Sequence, residues 1–283
     1  MVAAANTSSP QLKFRIPRWF TLPVAIGIIV VAVWIIATFF APYMTPYDPL
    51  DMVGRRLQAP SWSHWLGTDA LGRDVLTRTL YGAKHSLPIA LLVVVSAVII
   101  GALAGAISGY KGGLIGSAIM RLVDITLSFP PMLLAMAVAA SLGPGLENAA
   151  IAMVIVWWPV YARLMRAQVL EVREREHVEA AIASGASSSR VLFKHILPLC
   201  WTPILISATM DLGQVILLAA SLSFIGLGAT PPTPEWGSMI AEGAVYFYNW
   251  WIAMGPGLAI LTIVLGFNFI GDGLRDYFDP RSK

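Results

Sequence analysis

Asp211 stands inside a long apolar run, with Gln214 one helical turn further along the same face. A lone carboxylate at that depth in lipid costs about 2.5–3.5 kcal/mol on insertion scales, so it must meet a donor, a water-filled cavity or a proton. A place on a transport pathway and a purely structural hydrogen bond both fit. Arg121 and Asp124 lie three apart near the end of another apolar run and can pair or snorkel. The other chemically expressive stretch is polar, about Arg166–Leu199. Its first half alternates in sign through Glu171, Arg173, Glu174, Arg175, Glu176 and Glu179. Gly185 then interrupts it, and Arg190, Val191, Leu192, Lys194, His195, Ile196, Leu197 and Pro198 follow. Alone, the charge run reads as a solvated helix face. With the smooth Ala180-Ala181 pair and the apolar residues added, it suits insertion into the groove of a soluble partner.

Other chemistries find no support. His64, His85, His177 and His195 lack metal-ligand spacing, so no metal site is expected. There is no G-x-x-x-x-G-K-[ST], H-E-x-x-H or G-x-S-x-G, so we expect no catalytic residues, no ATPase motif and no cofactor bound by this chain. Cys200, the single cysteine, excludes an internal disulfide and reads as packing. The sequence pI of about 9.1 comes without a basic stripe or stacking platform, so no nucleic acid is implied.

The elements that must position these residues are membrane helices. Hydrophobic residues make up 57% of the 283-residue chain and charged ones 12%, about half the usual share in soluble domains. Six spans are expected: Leu22–Phe40, Leu87–Gly109, Ala118–Leu142 kinked at Pro130-Pro131, Ala149–Met165, Trp201–Leu222 and Trp250–Ile270. Each approaches the roughly 20 residues that cross a hydrocarbon core. Most of the 19 lysines and arginines fall on one side if both termini are cytoplasmic. On or near that side are Lys13, Arg15, Arg18, Lys111, Arg121, Arg163, Arg166, Arg173, Arg175, Arg190, Lys194, Arg275, Arg281 and Lys283. Aromatic pairs, Trp19-Phe20 among them, mark the interfaces.

The external stretches carry their own expectations. Asp69 is read as the cap of an interfacial helix from Ala70 to about Tyr81. The loop Ser223–Asn249, rich in proline and glycine around Glu235-Trp236, is read as a bent cap rather than a helix. It would contact a delivering protein or plug the pathway mouth. Ala97, Gly101, Gly105 and Gly109 recur every four residues and read as a close-packing face more than as a pore lining.

Glu179-Ala180-Ala181, Gly185 and Ile196-Leu197-Pro198 together resemble the coupling motif of type I ABC importer permeases. The chain is more narrowly similar to the second permease subunit of dipeptide/oligopeptide importers. Leu66-Gly67-Thr68-Asp69, Gly72-Arg73-Asp74, Leu127-Ser128-Phe129-Pro130, Tyr161-Ala162-Arg163 and Arg173-Glu174-Arg175-Glu176 carry that likeness. So do Ser221 to Gly228, Pro231 to Gly237 and Gly271 to Asp276, in this order. The resemblance implies an all-α integral membrane protein of the type I permease fold in a bacterial plasma membrane. The expected division is a tail 1–21, a first span 22–40, an external segment 41–86, a permease core 87–272 with its coupling loop at 166–199, and a tail 273–283. Implied partners are a homologous second permease, two ATPase subunits (or a fused pair) that use ATP and Mg, and an extracytoplasmic binding protein. Glu179, Ala180, Ala181, Gly185, Arg190, His195, Ile196, Leu197 and Pro198 would couple to the ATPases. Asp211 and Gln214 would line the pathway, and Pro234, Glu235 and Trp236 would meet the binding protein. Alternatives are nickel or another small solute as cargo, or a proton-coupled carrier with Asp211 as relay.

Overall fold

The computed structural model describes residues 21–278. The expected tail residues 1–20 and 279–283, with Lys13, Arg15, Arg18, Trp19-Phe20, Arg281 and Lys283, lie outside them. Every regular element among the described residues is helical: α1 Leu22–Met44, α2 Val75–Lys111, α3 Gly113–Leu127, α4 Pro131–Leu142, α5 Leu146–Arg173, α6 Glu176–Ala183, α7 Ser188–Arg190, a π-helical turn Val191–Ile196, α8 Leu197–Phe224, α9 Trp236–Val245 and α10 Trp251–Phe278. Five stretches, α1, α2, α5, Ser188–Phe224 and α10, are long and apolar enough to cross a membrane. The pair α3 and α4, bent by 93°, makes a sixth if counted as one span.

Small residues face inward and large apolar ones outward, the pattern of helices that meet in lipid. On α2, Ala97, Gly101 and Gly105 are buried, whereas Leu92, Ile99, Ile100 and Leu103 are exposed. A Cβ at Gly105 would come within 2.9 Å of Met165 Cβ and still nearer the Ala162 carbonyl. One at Gly101 would clash with the Trp158 carbonyl. The stripe is therefore packing surface for α5. On the other side of the bundle α1 lies on α10, where Trp34 Nε1 donates to Thr262 Oγ1 at 3.0 Å.

Several elements depart from expectation. No separate helix starts at Ala70: α2 begins at Val75 and runs unbroken through the second span. Asp74 Oδ1 caps it, accepting from Thr77 N at 2.7 Å. Asp69 instead folds the preceding loop, its Oδ1 accepting from Leu71 N and Arg73 N at 2.8 and 3.0 Å. The kink at Pro130-Pro131 is a full break. Asp124 pairs not with Arg121 but with Arg163, at 2.7 Å. The loop after α8 contains a true helix, α9, because the Glu235 carboxylate accepts from Gly237 N and Ser238 N at its start. Pro234, Glu235 and Trp236 are buried, so they form the seat of α9 rather than a surface for a delivering protein. Trp236 Nε1 donates to Thr79 O at 2.8 Å and its ring meets Trp34 edge-on.

At the α9 end, residues 45–74 fold back on the starts of α2 and α10. Arg73 Nε binds Asp69 Oδ2 at 2.6 Å, Arg78 Nε stands 3.4 Å from the same oxygen, and Arg73 Nη2 reaches Glu242 Oε2 at 3.4 Å. His64 Nδ1 lies 2.9 Å from Asp74 Oδ2. Trp251 Nε1 closes the knot on Thr68 O at 3.1 Å.

Candidate coupling segment and embedded carboxylate

The far end of the bundle is built from residues 174–199. α5 stops at Arg173, whose Nη1 donates to Gly109 O at 3.1 Å and so fastens the ends of α5 and α2 together. Arg175 is extended and starts α6, whose first turn holds Glu176 and Glu179. Both carboxylates favour the positive end of the helix dipole. Val178 is the one buried residue of α6, and it seats the helix against a core that includes Val172, Val191, Ile196 and Cys200.

The turn after α6 depends on Gly185. Its φ is +78°, and its N–H donates to Ile182 O at 2.9 Å while Ala186 N donates to Ala181 O at 3.1 Å. A left-handed residue closing the last turn is the usual glycine cap. The second short helix is not a separate piece. α7 passes through the π-helical turn 191–196 straight into α8, so no flexible joint lies between the segment and that membrane helix.

The coupling residues named from the sequence come together here with different exposures. Glu179, Ala180, Gly185, Arg190 and Pro198 are exposed; Ala181, His195 and Leu197 are half-buried; Ile196 is fully buried and serves as an anchor. Sequence reasoning missed two exposed apolar side chains on the same surface, Ile182 and Phe193, at 53% and 61% exposure. Their signal was present, since both are apolar beside charged neighbours. Exposed apolar side chains of this size, with exposed Glu179, Arg190 and Lys194 near them in sequence, are more than a solvated helix face requires.

Asp211 lies at the midpoint of α8 and is half-buried. Its Oδ2 accepts from Tyr161 Oη of α5 at 2.7 Å. It also lines a cavity of about 200 Å³ with Thr126, Leu127, Phe129 and Trp157. The structural hydrogen bond is thus present, and the carboxylate also has a face on a cavity. Gln214 is exposed and does not line that cavity. Tyr161 could not be picked as the partner beforehand, since fifty positions separate the two residues and only the fold joins them.

Residues 97–283 match the family model for the binding-protein-dependent transport system inner membrane component. The chain belongs to this family. Relatives in the family include the dipeptide transport system permease protein DppC of Alkalihalophilus pseudofirmus, 45% identical over 91% of this chain and 86% of its own length. The probable D,D-dipeptide transport system permease protein DdpC of Escherichia coli is 44% identical over 90% of this chain and 86% of that protein. The di/tripeptide transport system permease protein DppC of Pseudomonas aeruginosa is also 44% identical, over 91% and 88%. A solved structure of the MetNI methionine ABC transporter matches the fold with a TM-score of 0.59 at 19% identity, covering 71% of this chain and 97% of that one. The chain is an integral membrane permease subunit with the all-helical fold of an ABC importer.

Proposed function

We propose that this permease carries di- or oligopeptides into a bacterial cell as one half of a transmembrane pair, driven by separate ATPase subunits. The observation that carries the cargo reading is the 42–45% identity to peptide permeases over nine-tenths of the chain. Family membership does not favour a gradient-driven carrier with Asp211 as relay, and the relatives' names give no support to nickel.

In this reading both termini and the segment 174–199 face the cytoplasm, as the lysine and arginine distribution suggests. Two ATPase subunits grip α6 around Glu179, Ala180, Ile182 and Gly185, with Phe193 and Arg190 beside them. A binding protein delivers peptide from the other side to this chain and a homologous second permease. The push then has a defined route. Val178 hands it to the end of α5, and the unbroken 188–224 helical run hands it to α8. Those two helices carry Tyr161 and Asp211, so a tilt of the segment acts directly on the embedded site. Switching between two packed arrangements needs such rigid connections, because close-packed interfaces flip rather than stretch. ATP and Mg serve the partner subunits.

The test is uptake of a labelled dipeptide into proteoliposomes holding the complete complex. Accumulation that requires ATP, the ATPase subunits and the binding protein is expected. Peptide accumulation driven by an ion gradient without ATPase subunits would refute the reading.

A further inference from the structure

The break between α3 and α4 follows from two adjacent prolines. Pro130 and Pro131 have no backbone N–H, so the carbonyls of Thr126 and Leu127 lose the donors four residues ahead that would continue the helix. Phe129 N reaches Thr126 O at only 3.4 Å, and the chain turns through 93°. Both carbonyl-bearing residues line the Asp211 cavity, as do the rings of Phe129 and Trp157. The cavity therefore collects a carboxylate, the negative end of the α3 dipole and two aromatic walls.

Tyr161 Oη and the Trp157 side chain take two acceptor positions of Asp211, and a carboxylate offers about four. Among the described residues no lysine, arginine or histidine forms an ion pair with it. A carboxylate in a membrane helix that faces a cavity instead of a cation marks a place for a positive group that comes and goes. A hard divalent ion is a poor fit, because calcium takes six to eight oxygen ligands and magnesium a full octahedron. The described residues also hold no group of three or more His, Cys, Asp or Glu able to bind a metal. An alkylammonium needs few acceptors and gains from aromatic faces.

We propose that Asp211, with the α3–α4 break, forms a subsite on the translocation route for the α-ammonium group of the passing peptide. The inference rests on the peptide reading above and adds the residue that holds one end of the cargo. Tyr161 is a positioning residue, fixing the carboxylate together with Trp157 while leaving about two of its four acceptor positions open.

Two measurements on the complete reconstituted complex decide it. In uptake, Asp211→Asn should lower import of alanylalanine at least ten-fold, while Asp211→Glu stays within three-fold of wild type, each at unaltered assembly by size exclusion. Equal import by wild type and Asp211→Asn overturns the subsite and leaves the peptide reading standing. Equal loss in the Asn and Glu variants overturns it too, since it marks packing rather than charge. Failure of the wild type to import any peptide removes the peptide reading and the subsite with it. The second measurement uses wild type alone: carbodiimide labelling of Asp211, read by mass spectrometry. Alanylalanine should protect Asp211 at least five-fold and N-acetyl-alanylalanine should not. No protection by either, or equal protection by both, contradicts the proposal.

Discussion

At the α9 end of the bundle buried Asp69 binds Arg73 with Arg78 close by, and buried Asp74 binds His64 and Thr77, tying a loop of some thirty residues to α2 and α10. At the α6 end Glu179, Arg190 and Lys194 lie in the open, and the short helices rest on three buried side chains, Val178, Val191 and Ile196. α2 alone, 37 residues long, separates the two ends by about 55 Å. The first region contains its own electrostatic partners; the second leaves places for someone else's. The proposed coupling uses this asymmetry: a stiff closure at one end, against which partner subunits can push the other.

The comparison breaks most readily at the knot. Asp69→Ala leaves the Arg73 and Arg78 guanidiniums buried without their shared carboxylate, a loss of about 3–5 kcal/mol for a broken buried pair. Thermal unfolding in detergent should show a markedly lower midpoint. Two aromatic residues sharpen the contrast. Trp236→Ala opens a cavity between α2 and α9 and should cost about 3–5 kcal/mol. Phe193→Ala, on an exposed ring, should stay within about 0.5 kcal/mol in the same unfolding assay yet cut ATP-driven uptake. At the turn, Gly185→Ala meets open space but a left-handed backbone, a strain of about 1–2 kcal/mol confined to the segment. Uptake should fall several-fold with little change in the unfolding midpoint.

The smallest effect is a pH dependence. Burial, with Asp69 beside it, pushes the Glu242 carboxyl above its ordinary range, against the pull of Arg73 and Arg78. The folded state therefore favours the protonated form. Its contribution to stability is fully present below the unfolded pKa and is lost as pH rises through the folded one. Glu242→Gln should flatten that part of the midpoint-versus-pH curve, measured over roughly pH 4 to 7.

Much of this was legible in the sequence, for identifiable reasons. Long apolar runs announce spans, and the four-residue spacing of Ala97, Gly101, Gly105 and Gly109 announced a close helix contact, though not that α5 makes it, because helical period and small size are local properties. Gly185 was legible as a turn for the same reason. Residues whose meaning depends on a distant partner were not. Trp236 looked like an exposed loop aromatic until the Thr79 carbonyl and the Trp34 ring were brought to it. Asp124 had a plausible local partner in Arg121, yet α5 offers Arg163 at better geometry. Asp211 stood out at once as costly, while Tyr161, which meets part of that cost, did not.

In the proposed coupling, force enters this subunit through the segment 174–199. Its most direct test is the ratio of peptide imported to ATP hydrolysed in the reconstituted complex carrying Glu179→Arg. Charge reversal on the exposed face of α6 should drop that ratio at least ten-fold while the subunit still inserts and assembles. A ratio equal to wild type, at equal expression, would contradict the claim.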